Sequence, residues 1–336
     1  MVDLAMMRRL FEAAQTVERL VILGDPNQLA SVEAGAVLGD ICAEEAGLRA
    51  PRFDVAGQLQ VSDGIEARGL DGAPQQTVVV ELLESHRFKG NSAIGLLSKS
   101  ILLGDVSQTM ELLAGGDAAV RFVEVAENQV GRAVQNEIWQ GYQPLRQAAS
   151  VEEALQALGR YRVLCVHRRG KFGVETWNQQ ILRLCEREER ASKPGVGACP
   201  ILITENAEDG TLFNGDLGVL LSGSQEGSTR AHLRSTSGKL VSLGTGRLPS
   251  YEFAFAMSVH KSQGSEVDEV LILLPEATSP LLTRELLYTA VTRAKARCVI
   301  VGSKDALRRC ILTKVQRQSG LSAEIRQCVL RAHEEA

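Results

Sequence analysis

The chain has 336 residues, 44% of them hydrophobic and 23% charged, with a formal net charge of −4. That balance suits a globular protein of two domains and excludes a disordered, collagen-like or uniformly basic chain. No run approaches the roughly 18 apolar residues of a membrane helix, and the start of the chain lacks the basic-then-apolar layout of a secretory signal, so a cytoplasmic protein with no membrane association is expected.

Taken in chain order, short β-rich runs alternate with helical stretches. Leu20 to Leu23 reads as a buried strand, followed by the turn Gly24-Asp25-Pro26-Asn27. Ala34 to Ala46 reads as a helix, with Ser31 as its candidate cap. Val78 to Leu83 is a second apolar strand. Ser92 to Leu103 is helical by periodicity and stops at Gly104. Further strands are expected at Arg162 to Val166, Ile201 to Thr204, Phe253 to Met257, Val270 to Leu274 and Cys298 to Val301. Helices are expected over Val151 to Leu158, Val174 to Glu188, Thr283 to Ala294 and Lys304 to Val315. Apolar strands alternating with helices predict a parallel sheet covered on both faces, an α/β class. Two stretches break the rhythm. Arg49 to Gln76, rich in Gly, Pro and polar residues, reads as a long loop. Leu221 to Leu248, with five Gly and six Ser among its 28 residues, reads as a small β insertion.

The seven cysteines are odd in number and form no C-x-x-C pair, so a zinc ribbon or disulfide scaffold is not expected, and no metal ligands are assigned. Cys165 and Cys298 lie in apolar runs and read as reduced core residues. No carboxylate cluster suited to a two-metal nuclease is seen.

Four segments carry candidate chemistry. In Leu23 to Leu29, Asp25 and Gln28 follow a strand, where open α/β sheets bind ligands; Gln28 could orient a water or contact a phosphate oxygen. The plain alternative is an Asx turn in which Asp25 bonds its own backbone. In Glu84-Ser85-His86-Arg87-Phe88, Arg87 could stabilise the charge of a transferring phosphoryl group, or pair with Glu84 on the surface. His86 is a candidate base, with a structural histidine as the alternative. Ser258 to Glu266 reads as a strand-to-helix turn. There Gln263, Gly264 and Glu266 offer an amide, a bare backbone and a carboxylate for a nucleotide, and His260 and Lys261 could reach a nucleic-acid backbone. Alternatively, Ser258 caps a helix. In Leu286 to Lys295, the residues Leu287, Ala290, Val291 and Ala294 share a helical face that should pack on the sheet, while Arg293 could contact phosphate or pair with acidic neighbours. Local basic clusters add to this. Arg284 to Arg317 holds nine Lys or Arg against two acids, and Arg162, Arg168, Arg169 and Lys171 form another. Such clusters suit a phosphate backbone, or a solvated face.

Together these segments resemble the ordered motif series of superfamily 1 DNA helicases of the RecD type. Val21 to Asp40 looks like helicase motif III, Ser85-His86-Arg87-Phe88 like motif IV, Ser258 to Glu266 like motif V and Tyr288 to Lys295 like motif VI. Leu212 to Gly218 resembles the stretch that leads into the family's small β-barrel. The resemblance runs from near Met1 to about Cys310 and is thin between Asp105 and Gly159.

The resemblance implies P-loop NTPase (RecA-like) motor domains that use ATP and Mg²⁺ to move along single-stranded DNA in double-strand break repair and recombination. It implies that Gln28, Arg87 and Arg293 reach the γ-phosphate, and that Asp25, Gln263, Gly264 and Glu266 lie on the nucleotide. His260, Lys261 and Ser31 would face DNA. Partner subunits like RecB and RecC are implied as well. The implied domains are 1–83 (part of a first motor domain), 84–216 with 249–336 (a second) and 217–248 (the β insertion). One departure stands out: no G-x-x-x-x-G-K-S/T and no acidic pair ahead of Gly24 occur, so the phosphate cradle and the Mg²⁺ ligands are not in this chain. The chain is therefore expected to be the C-terminal part of a longer protein, inactive alone in ATP hydrolysis; a non-catalytic module docking to RecB-like and RecC-like partners is the alternative.

Overall fold

A computed structural model describes residues 4–18, 20–29, 37–42, 52–53, 59–60, 81–82, 92–126, 129–189, 197–221, 229–235 and 238–315, with 321, 324 and 327. The chain divides into two compact units, Met1–Asn91 with Val315–Ala336, and Ser92–Lys314.

In the first unit, α1 (Leu4–Ala13) and α2 (Val37–Cys42) accompany three two-residue strands, β1 (Arg52–Phe53), β2 (Leu59–Gln60) and β3 (Glu81–Leu82). β1 pairs antiparallel with β2 and parallel with β3. The strand expected at Leu20 to Leu23 does not form; the segment has no regular structure, and Leu20, Val21 and Leu23 are exposed, Leu23 to 88%. An apolar run becomes a buried strand only when a neighbouring backbone supplies its ladder, and no described strand lies beside this one. α2 covers the middle of the helix expected over Ala34 to Ala46; Ser31, its expected cap, lies outside the described residues.

The second unit opens with α3 (Ala93–Leu103). Ser92 Oγ accepts from Gly95 N at 3.2 Å at its start, and Gly104, at φ 74°, turns the chain out at its end. There follow α4 (Val106–Ala114), β4 (Val120–Glu124), α5 (Val130–Arg146), α6 (Val151–Ala157), β5 (Tyr161–Cys165) and α7 (Val174–Glu189). At α6, Ser150 Oγ accepts from Glu153 N at 3.2 Å while the Glu153 carboxylate accepts from Ala149 N at 2.9 Å, a reciprocal cap. Next come β6 (Cys199–Ile203), β7 (Leu217–Leu221), β8 (Arg230–Arg234), β9 (Leu240–Gly244) and β10 (Tyr251–Phe253). The unit closes with β11 (Ala256–Ser258), β12 (Val267–Leu273), α8 (Arg284–Val291), β13 (Ala294–Gly302) and α9 (Lys304–Leu312).

These strands form two sheets. One is parallel throughout, in the order β11-β5-β12-β13-β4; the other is antiparallel, in the order β10-β6-β7-β8-β9. The expected helix-covered parallel sheet is therefore present. Tyr161, Val163 and Cys165 of β5, with Leu271, Leu273, Val299 and Val301, share one core with α5 and α7. Alternate residues such as Leu164, Ile272 and Ile300 are equally buried, and α3 and α8 pack against β13 and β12. Cys165 and Cys298 are buried on this sheet as free thiols, and burial pushes both up, Cys298 to about 12.

Several boundaries differ from expectation. Ile201 to Thr204 belongs to the antiparallel sheet, which takes in residues 199–203 and 251–253 beside the segment expected to form the insertion. Phe253 to Met257 is two strands in two sheets. The Asn178 amide donates to Phe253 O at 2.7 Å and Ala256 O at 3.1 Å and accepts from Ala256 N at 2.8 Å, so it takes the backbone groups that a continuous ladder would need. Arg162, expected in a basic surface cluster, is buried in β5, where it donates to Ala254 O and to Leu158 O. Its neighbour strand turns away at Ala254, and the guanidinium satisfies the carbonyl left behind.

Aromatic residues are scarce, yet three gather where α5 crosses β5. The Tyr142 ring meets Tyr161 and Phe255 edge-on at 5.0 and 5.1 Å, and its hydroxyl donates to Phe255 O and accepts from Val163 N. Gly141 allows this approach: a Cβ there would stand 2.5 Å from Tyr161 Cδ1. Gly141→Ala should therefore destabilise the unit by about 2 kcal/mol in urea unfolding, although alanine is the better helix former by about 1 kcal/mol. A neutral or stabilising result would show that α5 can shift off the ring.

Candidate functional site

The connection from β11 to β12 forms the centre of the site. Both strands pair with β5, one on each edge. Ser258 lies level with Cys165, at the end of β5, while Glu269 lies level with Tyr161, at its start. The chain must travel back along β5, and it does so in the eight residues Val259–Glu266, fewer than the dozen usual for a parallel crossover. It is wound into tight turns: Ser262 N donates to Ser258 O (3.1 Å), Gln263 N to His260 O (3.3 Å) and Ser265 N to Ser262 O (3.1 Å). Ser262 is buried, and its hydroxyl donates to Val259 O at 2.8 Å. Gly264 has φ 81° and open space where a Cβ would project, so the backbone is bare there. The expected strand-to-helix turn is thus a strand-to-strand crossover. Ser258 Oγ accepts from Lys261 N at 3.2 Å and caps a single turn, not a helix.

Arg293 holds this crossover. It was expected within the helix Thr283 to Ala294, but α8 ends at Val291 and Ala294 already belongs to β13, so Arg293 lies in the turn between them and points inward. It is 4% exposed. Its guanidinium donates to Thr289 O (3.2 Å), to Ser265 O (3.2 Å) and to Thr292 Oγ1 (3.4 Å), while its own carbonyl accepts from Val267 N (3.1 Å). Ser265 and Val267 flank Glu266, so Arg293 fixes the backbone on either side of that carboxylate. Glu266 is half-buried and 3.9 Å from Lys295 Nζ. Gln263 and His260 are half-buried on the same crossover.

At the crossover's other end Lys261 joins a basic cluster. Its Nζ is 2.6 Å from Glu252 Oε1 on β10; Glu252 Oε2 is 3.7 Å from Arg168, in the loop after β5. Arg168 and Arg169 lie 3.4 and 3.5 Å from Glu175. Three exposed cations thus meet two carboxylates at the carboxyl ends of neighbouring strands, where open α/β sheets present their ligands. Glu252 was not singled out from the sequence. The second expected basic patch is dispersed by folding. Arg284 donates to Ile311 O and Leu102 O, Arg297 pairs with Glu137 and Glu269, and Lys304 pairs with Glu124.

In the first unit, Asp25 Oδ1 accepts from Asn27 N at 2.9 Å, an Asx turn, and Asp25 Oδ2 accepts from the Gln28 amide at 3.0 Å. Asp25 thereby fixes the Gln28 side chain, which is half-buried. Arg87, His86 and Ser31 lie outside the described residues. Among the described residues no group of three or more His, Cys, Asp or Glu side chains could hold a metal ion, and no helix is long and apolar enough to cross a membrane.

Residues 253–301 match the UvrD-like helicase C-terminal domain, and residues 1–124 match an AAA domain. The RecBCD enzyme subunit RecD of Mycolicibacterium smegmatis is 40% identical over 332 residues, covering 97% of this chain and 52% of that protein. The RecD subunit of Haemophilus influenzae is 33% identical over 349 residues, covering 96% and 52%. A solved Pif1 helicase from Bacteroides, in complex with ADP-AlF3 and ssDNA, overlays with a TM-score of 0.36 at 17% identity, covering 77% of this chain and 58% of that one. The chain spans about half the length of the curated relatives it matches. Along nearly the whole of its sequence the chain is thus similar to RecD subunits, and it carries matches to the UvrD-like helicase C-terminal domain and to an AAA domain.

Proposed function

We propose that the chain is part of an ATP-dependent DNA helicase subunit acting in recombination and repair, and that it contributes the face that grips single-stranded DNA and part of the nucleotide site. The observation that carries this reading is the eight-residue crossover Val259–Glu266. Its DNA-facing candidates, His260 and Lys261, lie at one end, its nucleotide-facing candidates, Gln263, Gly264 and Glu266, at the other, and Arg293 is bonded to its backbone. A change felt at one end of so short and tightly bonded a segment is passed to the other, which is what a motor coupling nucleotide to strand requires.

The fit to the nucleotide is partial. Glu266 and the bare backbone at Gly264 suit a ribose and a phosphate edge, and Arg293, bonded to the same crossover, is the second unit's candidate for the γ-phosphate. Nothing in this sequence supplies the P-loop cradle or the hydroxyl and carboxylate that hold Mg²⁺, so these residues position a nucleotide that other groups must hold.

Anisotropy of a fluorescein-labelled dT12 strand tests the DNA face. The 336-residue chain should bind it, and affinity should fall about twentyfold from 50 to 200 mM salt if Lys261, Arg168 and Arg169 each engage one phosphate. Lys261→Gln and Arg168→Gln should each weaken binding. Salt-independent binding, or none, would defeat the reading.

A second reading is favoured by the exposed apolar side chains of the first unit, Leu4, Met6, Leu10, Phe11, Val17, Leu20, Val21 and Leu23. Such a surface suits burial against another polypeptide, and RecB-like and RecC-like subunits are the partners that the relatives' names suggest. Stable association with those subunits without any strand binding would favour a docking role alone.

A further inference from the structure

We infer that Glu252 is a positioning residue that stands in for a backbone phosphate. In the absence of a strand it occupies Lys261 and Arg168, and a bound strand displaces it. The inference rests on the proposed DNA face and adds a determinant of its affinity.

The geometry is asymmetric in an informative way. Glu252 sits on β10, the edge strand of the antiparallel sheet, where it is paired with Leu202 of β6. Its carboxylate reaches out of that sheet to two loops of the parallel sheet, 2.6 Å to Lys261 Nζ through one oxygen and 3.7 Å to Arg168 through the other. It therefore presents two anionic oxygens to two cations, as a phosphodiester would. The pair is also open to solvent. The side chains of Lys261 and Glu252 are 35% and 26% exposed and that of Arg168 is 67% exposed, so a phosphate can approach without unfolding anything. An exposed ion pair of this kind is weak, and a strand offering several phosphates can exchange for it. Glu175 is the natural control. It lies 3.4 and 3.5 Å from Arg168 and Arg169 and carries the same charge in the same cluster, but it is not paired with Lys261.

Competition and simple repulsion make different predictions. If Glu252 only repels the strand through space, removing its charge helps by the same factor whatever stands at Lys261. If it competes for Lys261, the two residues are coupled. With labelled dT12 at 50 mM salt, Glu252→Gln in the full chain should tighten binding about fivefold and steepen the slope of log affinity against log salt by about 0.7 for each cation released. Lys261→Gln should cost about threefold in the native chain but about tenfold in the Glu252→Gln background. In a Glu175→Gln background it should cost the same threefold as in the native chain.

Weaker or unchanged binding by Glu252→Gln, or an equal cost of Lys261→Gln in all three backgrounds, would overturn the inference while leaving the DNA face standing. If Lys261→Gln and Arg168→Gln both bind like the native chain, the strand lies elsewhere, and the proposed face falls together with the role of Glu252.

Discussion

Arg293→Ala should cost the second unit about 3 kcal/mol of stability, measured by urea unfolding of the chain without nucleotide. The side chain is 4% exposed and its guanidinium serves Thr289 O, Ser265 O and Thr292 Oγ1. Truncation takes a donor from Ser265 O and from Thr289 O, which keeps Thr292 Oγ1 at 3.1 Å, and empties the space of a buried side chain. Arg293→Lys should recover only part of the loss, because an ammonium on a flexible stem cannot replace a planar fork that spans α8 and the crossover. A loss below about 0.5 kcal/mol would mean that the guanidinium is bound loosely and that the crossover holds itself. A guanidinium carries five N–H donors, and a phosphate drawing on any of them would pull on Ser265 and so on Glu266. Loss of Arg293 should therefore loosen the crossover even where no nucleotide is present.

The parallel sheet was legible because its strands are buried on both faces. Val270 to Leu274 and Cys298 to Val301 are uninterrupted apolar runs, which neither an amphipathic helix nor an edge strand would need. Local chemistry also marked helix ends, as with Ser92 and Gly104 around α3. What the sequence did not reveal depends on distant partners. The break at Ala254 is made by Asn178 and Arg162, which lie far from it in sequence. Leu20 to Leu23 has the composition of a core strand, but a strand is a property of paired backbones, and none of those described is beside it.

The site divides in the same way. Gly264 is readable because only glycine sits easily at φ 81°, and Gln28 because a turn residue, Asp25, lies three positions before it. Arg293 was misplaced because helical periodicity was carried past Val291, where the backbone has already turned toward β13. Glu252 gave no signal at all. It matters only because the antiparallel sheet brings β10 beside two loops of the other sheet, with Arg168 lying 84 positions before Glu252 in the chain. A basic run such as Arg284 to Arg317 suggested a patch, yet folding sends Arg284 and Arg293 inward and pairs Lys295, Arg297 and Lys304 with acids. Charge counted along the chain is a poor guide once helix and strand send neighbouring residues to different faces.

The 336-residue chain should release no phosphate from ATP above the protein-free rate, with or without dT12, in an assay sensitive to one turnover per hour. Phosphoryl transfer is catalysed almost wholly by positioning and charge: a backbone cradle and lysine on the β- and γ-phosphates, a metal bridging them, and arginines that stabilise the developing charge. An arginine of this kind accelerates the reaction by about 10³–10⁵, but only on a nucleotide that the cradle and metal already hold in line. This sequence has no G-x-x-x-x-G-K-S/T, and the described residues offer no carboxylate cluster for a metal, so the term that Arg293 or Gln28 could add has nothing to act on. Strand binding by the Lys261 cluster needs neither cradle nor metal and should persist in the same preparation. The two activities are therefore expected to separate: salt-sensitive binding of single-stranded DNA without turnover. Steady ATP hydrolysis abolished by Arg293→Ala would overturn this view, because it would require a complete phosphate site built from residues assigned no such role here.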